Sequence, residues 1–461
     1  MRSTLAVFAL AVAACLVYGY GFVNVDAMSS LVWGRQLSLG QLPFYPDAAP
    51  TPHPLSNAVG LLLAPLHDGA EDGLLVISYA SAGGLVWATW LVGQRLFGTA
   101  AGVVSAVLVF SREVVVVNTA RAFLDVPFAA LVMAAIAMEV RAPRRGAPVL
   151  AVLGVAGLIR PEAWFLTGLY WLWMLPAVSR AEAMKLAALG AAAPVIWMAC
   201  DLVVTGNPLY GFTETREVAA ALSGVPSGLD GLLTAGPVQL ASNVRRVVVF
   251  AAVVGLVVAL RVRPGATRKA LVITVAVALS WAIPAALGTV PNVRYAIPTV
   301  AMLCVLAASG LAILTAEGRA LGKRWQALAL ASAVLLAVSV PSQVARVLDE
   351  RHGVIAVAEN RAQLKALVES RPLPCAPVVG PNPRVVPPLV IWRRLEAREQ
   401  VADQRSDPSV RRGTFVAGTH EVSKGWAIHP RARGGNDKPE PLPAGARVIA
   451  RGGGWTLGAR C

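Results

Sequence analysis

The sequence predicts a polytopic α-helical membrane protein, crossing a bilayer about eleven times and ending in a small α/β domain on the extracytoplasmic side. Three observations predict it. The chain is 56% hydrophobic and only 15% charged, with mean hydropathy +0.61, too little polar surface to cover a soluble core of this size. Its apolar residues gather in runs long enough to span. Its basic residues fall in short clusters between those runs, so the net charge of +15 is a topology signal. Nucleic-acid binding is excluded, because no basic face interleaved with aromatics is present.

The runs, in order, are Thr4 to Val23, Leu74 to Leu96, Ala100 to Val117, Ala122 to Val140, Ala147 to Ile159, Trp164 to Val178, Met184 to Val204, Val244 to Leu260, Ala270 to Leu287, Ala296 to Thr315 and Trp325 to Val340. The first resembles a signal peptide, and Val12-Ala13-Ala14-Cys15 a lipoprotein cleavage site. It is read as an uncleaved anchor, because it places Asp26 at the outer membrane edge. Between the fifth and sixth runs, Arg160-Pro161-Glu162 reads either as a tight turn or as a polar kink in one long span.

Orientation follows from charge. With the N-terminus cytoplasmic, the inner ends collect Arg2, Arg95, Arg141, Arg144, Arg145, Arg180, Lys185, Arg261, Arg263, Arg268, Lys269, Arg319, Lys323 and Arg324, whereas acids such as Asp26, Asp47, Glu71, Asp72, Asp125 and Glu162 lie outside. The expected location is the plasma membrane, with membrane lipids as partners. Residues 1–343 form the transmembrane domain, with long outer loops at 24–73 and 205–243. The first loop holds an amphipathic-looking stretch, Met28 to Leu39, expected on the membrane surface. Residues 344–461 form the C-terminal domain, with a helix at Val354 to Glu369 and short β-like runs at Pro377 to Val379, Leu389 to Trp392, Thr414 to Ala417, Ala446 to Ala450 and Trp455 to Leu457.

Ionisable groups at the ends of apolar runs need a reason, since each costs about 2.5–3.5 kcal/mol in a span. Those at the outer face are Asp26, Arg121, Asp125, Arg160, Glu162 and Arg294 with Tyr295, and His53 lies in the first outer loop. Together they would line an external cavity of carboxylates and guanidiniums. That chemistry suits displacement at an anionic leaving group: a base for the attacking hydroxyl and cations for the departing phosphate. On helix physics alone Arg121 and Asp125 read equally as an i,i+4 ion pair, Arg160-Pro161-Glu162 as a solvated turn, and His53, between prolines, as a rigid loop residue. Cys375 and Cys461 in the tail either form a disulfide or stay free thiols. His53, His67, Asp47, Asp68, Glu71 and Asp72 share one loop without metal-ligand spacing, so no metal site is assigned.

Taken in order, these motifs resemble the polyprenyl-phosphate-sugar-dependent glycosyltransferases of the GT-C class, the group that includes protein O-mannosyltransferases and lipid A aminoarabinose transferases. Members have an aspartate just after the first span, then an aromatic and Arg-containing surface helix with a Gly/Pro exit. Asn24-Val25-Asp26, Trp33-Gly34-Arg35 and Leu39-Gly40-Gln41-Leu42-Pro43 look like that series. Thr51-Pro52-His53-Pro54-Leu55 is similar to the Pro-rich stretch that follows, and Arg121 to Pro127, Leu158-Ile159-Arg160-Pro161-Glu162 and Val293-Arg294-Tyr295 to the motifs that close the outer cavity.

The resemblance implies a GT-C-like fold and an inverting transferase with Asp26 as general base. The donor would be a polyprenyl-phosphate-linked sugar, held at its phosphate by His53, Arg121, Arg160 or Arg294, and the acceptor a glycan, lipid or protein of the cell envelope. Where many relatives carry a second acid after the aspartate, this chain has Ala27. No cofactor is implied, and a divalent metal stays open. Two other classes are weighed against the enzyme. A secondary transporter would place polar groups at the midplane of interrupted, repeated helices, and a non-catalytic envelope lipid-handling or scaffold protein would tolerate loss of Asp26.

Overall fold

A computed structural model describes residues 2–45, 51–221, 228–396, 401–404, 408–419 and 441–461; Asp47 lies outside them. The first apolar run forms α1 (Arg2–Tyr18). The chain that follows is laced to the end of a later helix: Phe22 N–H donates to the Ala120 carbonyl at 2.8 Å, and Asn24 N–H to the Arg121 carbonyl at 2.9 Å. Only glycine fits at position 21, where a Cβ would overlap the Ala120 carbonyl.

The first outer loop folds into α2 (Val25–Ser38) and α3 (Pro54–Leu63). Gly34 and Gly60 let these two touch backbone to backbone, since a Cβ on either would overlap the other helix. Every residue from Ala27 to Gly34 is buried. The first part of the expected amphipathic surface helix is thus covered on both faces, a correction whose cause includes a C-terminal helix packed over it, while Leu37 and Leu39 stay exposed. Next come α4 (Ala70–Phe97), α5 (Thr99–Phe110) and α6 (Glu113–Ala120). The run expected as one span over 100–117 is bent by 57° between α5 and α6. At the bend Arg112 Nε donates to the Leu108 carbonyl and its Nη1 to the Val244 carbonyl, both at 2.9 Å.

The chain continues through α7 (Asp125–Arg141), α8 (Ala147–Gly157), α9 (Glu162–Met174), α10 (Arg180–Thr205), α11 (Tyr210–Ala221), α12 (Gly228–Thr234), α13 (Gly236–Val244), α14 (Arg246–Val262), α15 (Pro264–Ala286), α16 (Ile297–Ala308), α17 (Ala316–Arg319), α18 (Lys323–Val338) and α19 (Val340–Glu369). Arg160-Pro161 is a turn between two helices, α8 and α9. α13 and α14 meet at 88° where Arg245 takes a φ of +78°. α16 is apolar all round and sits at the centre, with every residue but Leu303 buried. α10 and α18 instead expose Val195, Ile196, Val203, Leu330, Val334 and Val338, as lipid-facing helices do. Among the described residues five helices are long and apolar enough to cross a membrane, and up to seven if each bent pair is one span. The arrangement is a polytopic helical membrane fold.

α19 starts at Val340 and runs unbroken through the expected boundary at 343/344. A sheet of order β2-β1-β3-β5-β4 follows, made of β1 (Val378–Gly380), β2 (Val401–Asp403), β3 (Gly413–Gly418), β4 (Arg447–Gly452) and β5 (Trp455–Arg460). β1 is parallel to β2 and β3, and β5 antiparallel to β3 and β4. The run at Leu389 to Trp392, expected as a strand, lies in α20 (Val386–Arg393). Pro387 and Pro388 explain this: proline opens a helix readily but leaves a strand without a donor. Leu389 and Trp392 join Leu364 and Val368 of α19 in a core with Val416, Trp455 and Leu457. Cys375 and Cys461 form a disulfide, Cα atoms 5.7 Å apart.

Candidate active site

Asp26 sits in the first turn of α2, where a carboxylate favours the positive end of the helix dipole. Asn24 sets that turn: its side-chain oxygen accepts from Asp26 N–H at 2.7 Å and Ala27 N–H at 3.2 Å, and its Nδ2 donates to the Arg121 carbonyl at 2.7 Å. At the other end of α2, Arg35 donates to the carbonyls of Val390, Arg394 and Leu395 at 3.2, 2.9 and 3.5 Å, closing the C-terminus of α20.

Opposite Asp26 stands Arg294, on a short 3-10 turn (Val293–Ala296) whose start is capped by the Asn292 side chain. Its Nη1 lies 3.3 Å from Asp26 Oδ2 and its Nε 3.8 Å from Asp125 Oδ2. The guanidinium packs between the rings of Phe123, 4.7 Å to centroid, and Tyr295, 5.1 Å. Its Nη2 donates to the Tyr295 hydroxyl at 3.2 Å. Asp125, the first residue of α7, also accepts from Arg160 Nη1 at 2.8 Å. Arg160 in turn grips Glu162, Nη2 to Oε1 at 2.7 Å, and lies 3.7 Å over the Tyr295 ring.

Asp26, Asp125, Arg160, Glu162, Arg294 and Tyr295 are therefore one continuous cluster. Its carboxylates differ in access: the side chains of Asp125 and Glu162 are 2% and 7% exposed, that of Asp26 36%. Charges buried as deeply as the first two persist only because they are paired.

His53 borders the cluster. Leu55 N–H bonds the Leu158 carbonyl at 3.2 Å, tying the start of α3 to the turn that holds Arg160, and the His53 ring meets Trp197 edge-on at 5.4 Å. Burial, then the fields of Arg160 and Arg294, push its pKa down to about 3, against a weaker opposing hydrogen bond to the Ile159 backbone. The imidazole is neutral at working pH and offers hydrogen bonding rather than charge. Below about 6.5 the unfolded chain takes a proton that the folded protein refuses, so stability falls as pH drops toward 3 and is unaffected above that window. Melting of the detergent-purified protein between pH 7.5 and 5 should show this as a loss of roughly 1–2 kcal/mol that His53→Gln lacks.

Arg121 is not brought to the cluster. α6 ends at Ala120, Ala122 turns left-handed at φ +51°, and α7 begins only at Asp125, so the two residues do not share a helix. The Arg121 guanidinium lies instead over Phe22, 5.7 Å to centroid, on the side of Glu350 in α19. Two acids of the first loop are likewise engaged elsewhere: Asp72 accepts from the Tyr20 hydroxyl, and Glu71 binds Arg361 at 3.4 Å and Trp392 Nε1 at 2.6 Å. Asp201 was missed by the sequence reading. It is buried near the end of α10 and accepts from Gly211 N–H at 2.9 Å, fastening the second outer loop. A carboxylate inside the run Met184 to Val204 was the signal.

No family model and no curated protein matches the sequence. Among solved structures, ArnT from Cupriavidus metallidurans bound to undecaprenyl phosphate superposes with a TM-score of 0.58 at 14% identity, covering 99% of this chain and 97% of that one. The fold is that of ArnT. The apo state of ArnT gives a TM-score of 0.55 at 12% identity with the same coverage. Archaeal oligosaccharyltransferase AglB from Archaeoglobus fulgidus, in complex with an inhibitory peptide and a dolichol-phosphate, gives 0.45 at 13% identity, covering 86% of this chain and 64% of its own. ArnT is a GT-C structure, the class that the motifs around Asp26, Arg160 and Arg294 resemble.

Proposed function

We propose that the chain is an inverting glycosyltransferase of the plasma membrane, moving a hexosyl or pentosyl unit from a polyprenyl phosphate to a glycan, lipid or protein acceptor on the outer face. The observation that carries this reading is Asp26: the accessible carboxylate of the cluster, with one oxygen held by Arg294. The acceptor hydroxyl attacks the anomeric carbon and passes its proton to Asp26. The bond from that carbon to the phosphate oxygen breaks, and its electron pair leaves with the polyprenyl phosphate.

Arg294, the more accessible of the two guanidiniums at 24% against 10% for Arg160, takes up the developing charge, while Asp125, itself anchored by Arg160, holds it in place. His53 supplies a neutral hydrogen-bonding group. ArnT was solved with undecaprenyl phosphate, which supports a polyprenyl phosphate here. The outward orientation is supported by the bias of basic residues and by the Cys375–Cys461 disulfide, a bond of oxidising compartments.

The test is transfer. The full chain in lipid nanodiscs, given a polyprenyl-phosphate-linked radiolabelled sugar and envelope extract, should release free polyprenyl phosphate as label enters an acceptor. Repeating the assay with a chelator reads whether a divalent metal takes part. A folded protein inert toward a panel of polyprenyl-linked hexoses and pentoses would remove the enzyme reading.

A further inference from the structure

A second candidate site lies along α7, with its charged rim at the end away from Asp125. Between α1, α4 and α7 runs a groove of about 510 Å³. Its walls are apolar, from Val7, Gly84, Trp87 and Ala134, and its rim carries Arg141 and Arg145. The sequence builds this hollow with two adjacent glycines. At Gly83 a Cβ would overlap the Val7 carbonyl, so α1 and α4 touch there. At Gly84 a Cβ would meet only the Ala130 methyl, at 3.9 Å, so the next position opens onto the groove.

Along α7 the lining extends from Pro127 to Arg141, roughly 21 Å at 1.5 Å per residue, more than the ~15 Å depth of one hydrocarbon leaflet. Val7, Gly84, Trp87 and Ala134 are each partly exposed, so the groove is open along its side rather than sealed.

The rim gives the groove a charge preference. Arg141 and Arg145 are exposed and form no ion pair among the described residues. The nearby Glu139 is engaged: it accepts from Arg144 N–H at 2.9 Å, the Tyr170 hydroxyl at 3.0 Å and Trp173 Nε1 at 3.1 Å. Among the described residues no carboxylate lines the groove.

The geometry points to a phospholipid with an anionic headgroup as the occupant, its acyl chain along α7 and its phosphate between the two guanidiniums. Arginine pairs bind phosphate oxygens strongly, and basic pockets between transmembrane helices select anionic lipid. This site is independent of the transferase reading.

Native mass spectrometry of the full chain, delipidated in detergent and titrated with dioleoyl phosphatidylglycerol or dioleoyl phosphatidylcholine, tests it. One phosphatidylglycerol should bind with roughly 10- to 30-fold preference. Arg141→Ala with Arg145→Ala should abolish that preference, and Gly84→Leu should abolish retention of both lipids. Because the arginines are exposed, the double variant folds even if Gly84→Leu does not. Equal binding of the two lipids, a preference that survives the double variant, or displacement of phosphatidylglycerol by equimolar polyprenyl phosphate would overturn the assignment.

Discussion

Asp26→Asn lowers the rate of sugar transfer by about 10²- to 10⁴-fold, the range that a positioned general base contributes, while the protein still folds and inserts. The amide keeps the shape of the carboxylate and its place beneath the Asn24 cap. It loses the basicity that accepts the hydroxyl proton. Because the side chain is 36% exposed, the substitution buries no new unpaired charge, and melting should shift little. The effect should fall on kcat rather than KM, because proton transfer belongs to the transition state. Single-turnover kinetics with bound donor would separate the two. Transfer at the wild-type rate would remove Asp26 from the chemistry.

Asp125→Asn acts in the opposite way, on the frame before the reaction. Asp125 is 2% exposed and lies between two guanidiniums, 2.8 Å from Arg160 and 3.8 Å from Arg294. Without its charge, Arg160 keeps Glu162 and Arg294 keeps the loosely held Asp26 as their one acidic partner among the described residues. Removing one member of a buried pair costs about 3–5 kcal/mol, because the remaining charge stays desolvated. The variant should melt lower or fail to accumulate in the membrane. Whatever folds should transfer slowly with a raised KM, since Arg294 is no longer aimed. A wild-type melting profile would mean that the two arginines find their partners without Asp125.

The two substitutions mark the line between what could be read along the chain and what could not. Asp26, Asp125, Arg160, Glu162, Arg294 and Tyr295 were legible because ionisable groups at the ends of apolar runs are costly and stand out. Each sits at a helix start or in a turn beside one, and ion pairs join the charged ones. Arg121 misled because its place at the outer start of an apolar run was taken to face the cavity, whereas Ala122 reverses the backbone to φ +51° between it and Asp125. The bends at Arg112 and Arg245 were equally invisible, since each depends on local backbone geometry or a distant carbonyl. The burial of α2 was beyond reach for another reason: its cover, α20, follows it by some 355 residues, and no local periodicity records so distant a neighbour.

That cover bears on how freely the terminal sheet can be exchanged. α2 is a single rod with Asp26 at one end and Arg35, nine residues on and roughly 14 Å along the axis, clasped by carbonyls of the sheet's own helix at the other. A chimera carrying a foreign terminal module would have to recreate that clasp. Otherwise the rod would lose its register and sugar transfer should fall, although the clasp is made at Arg35 and not at Asp26.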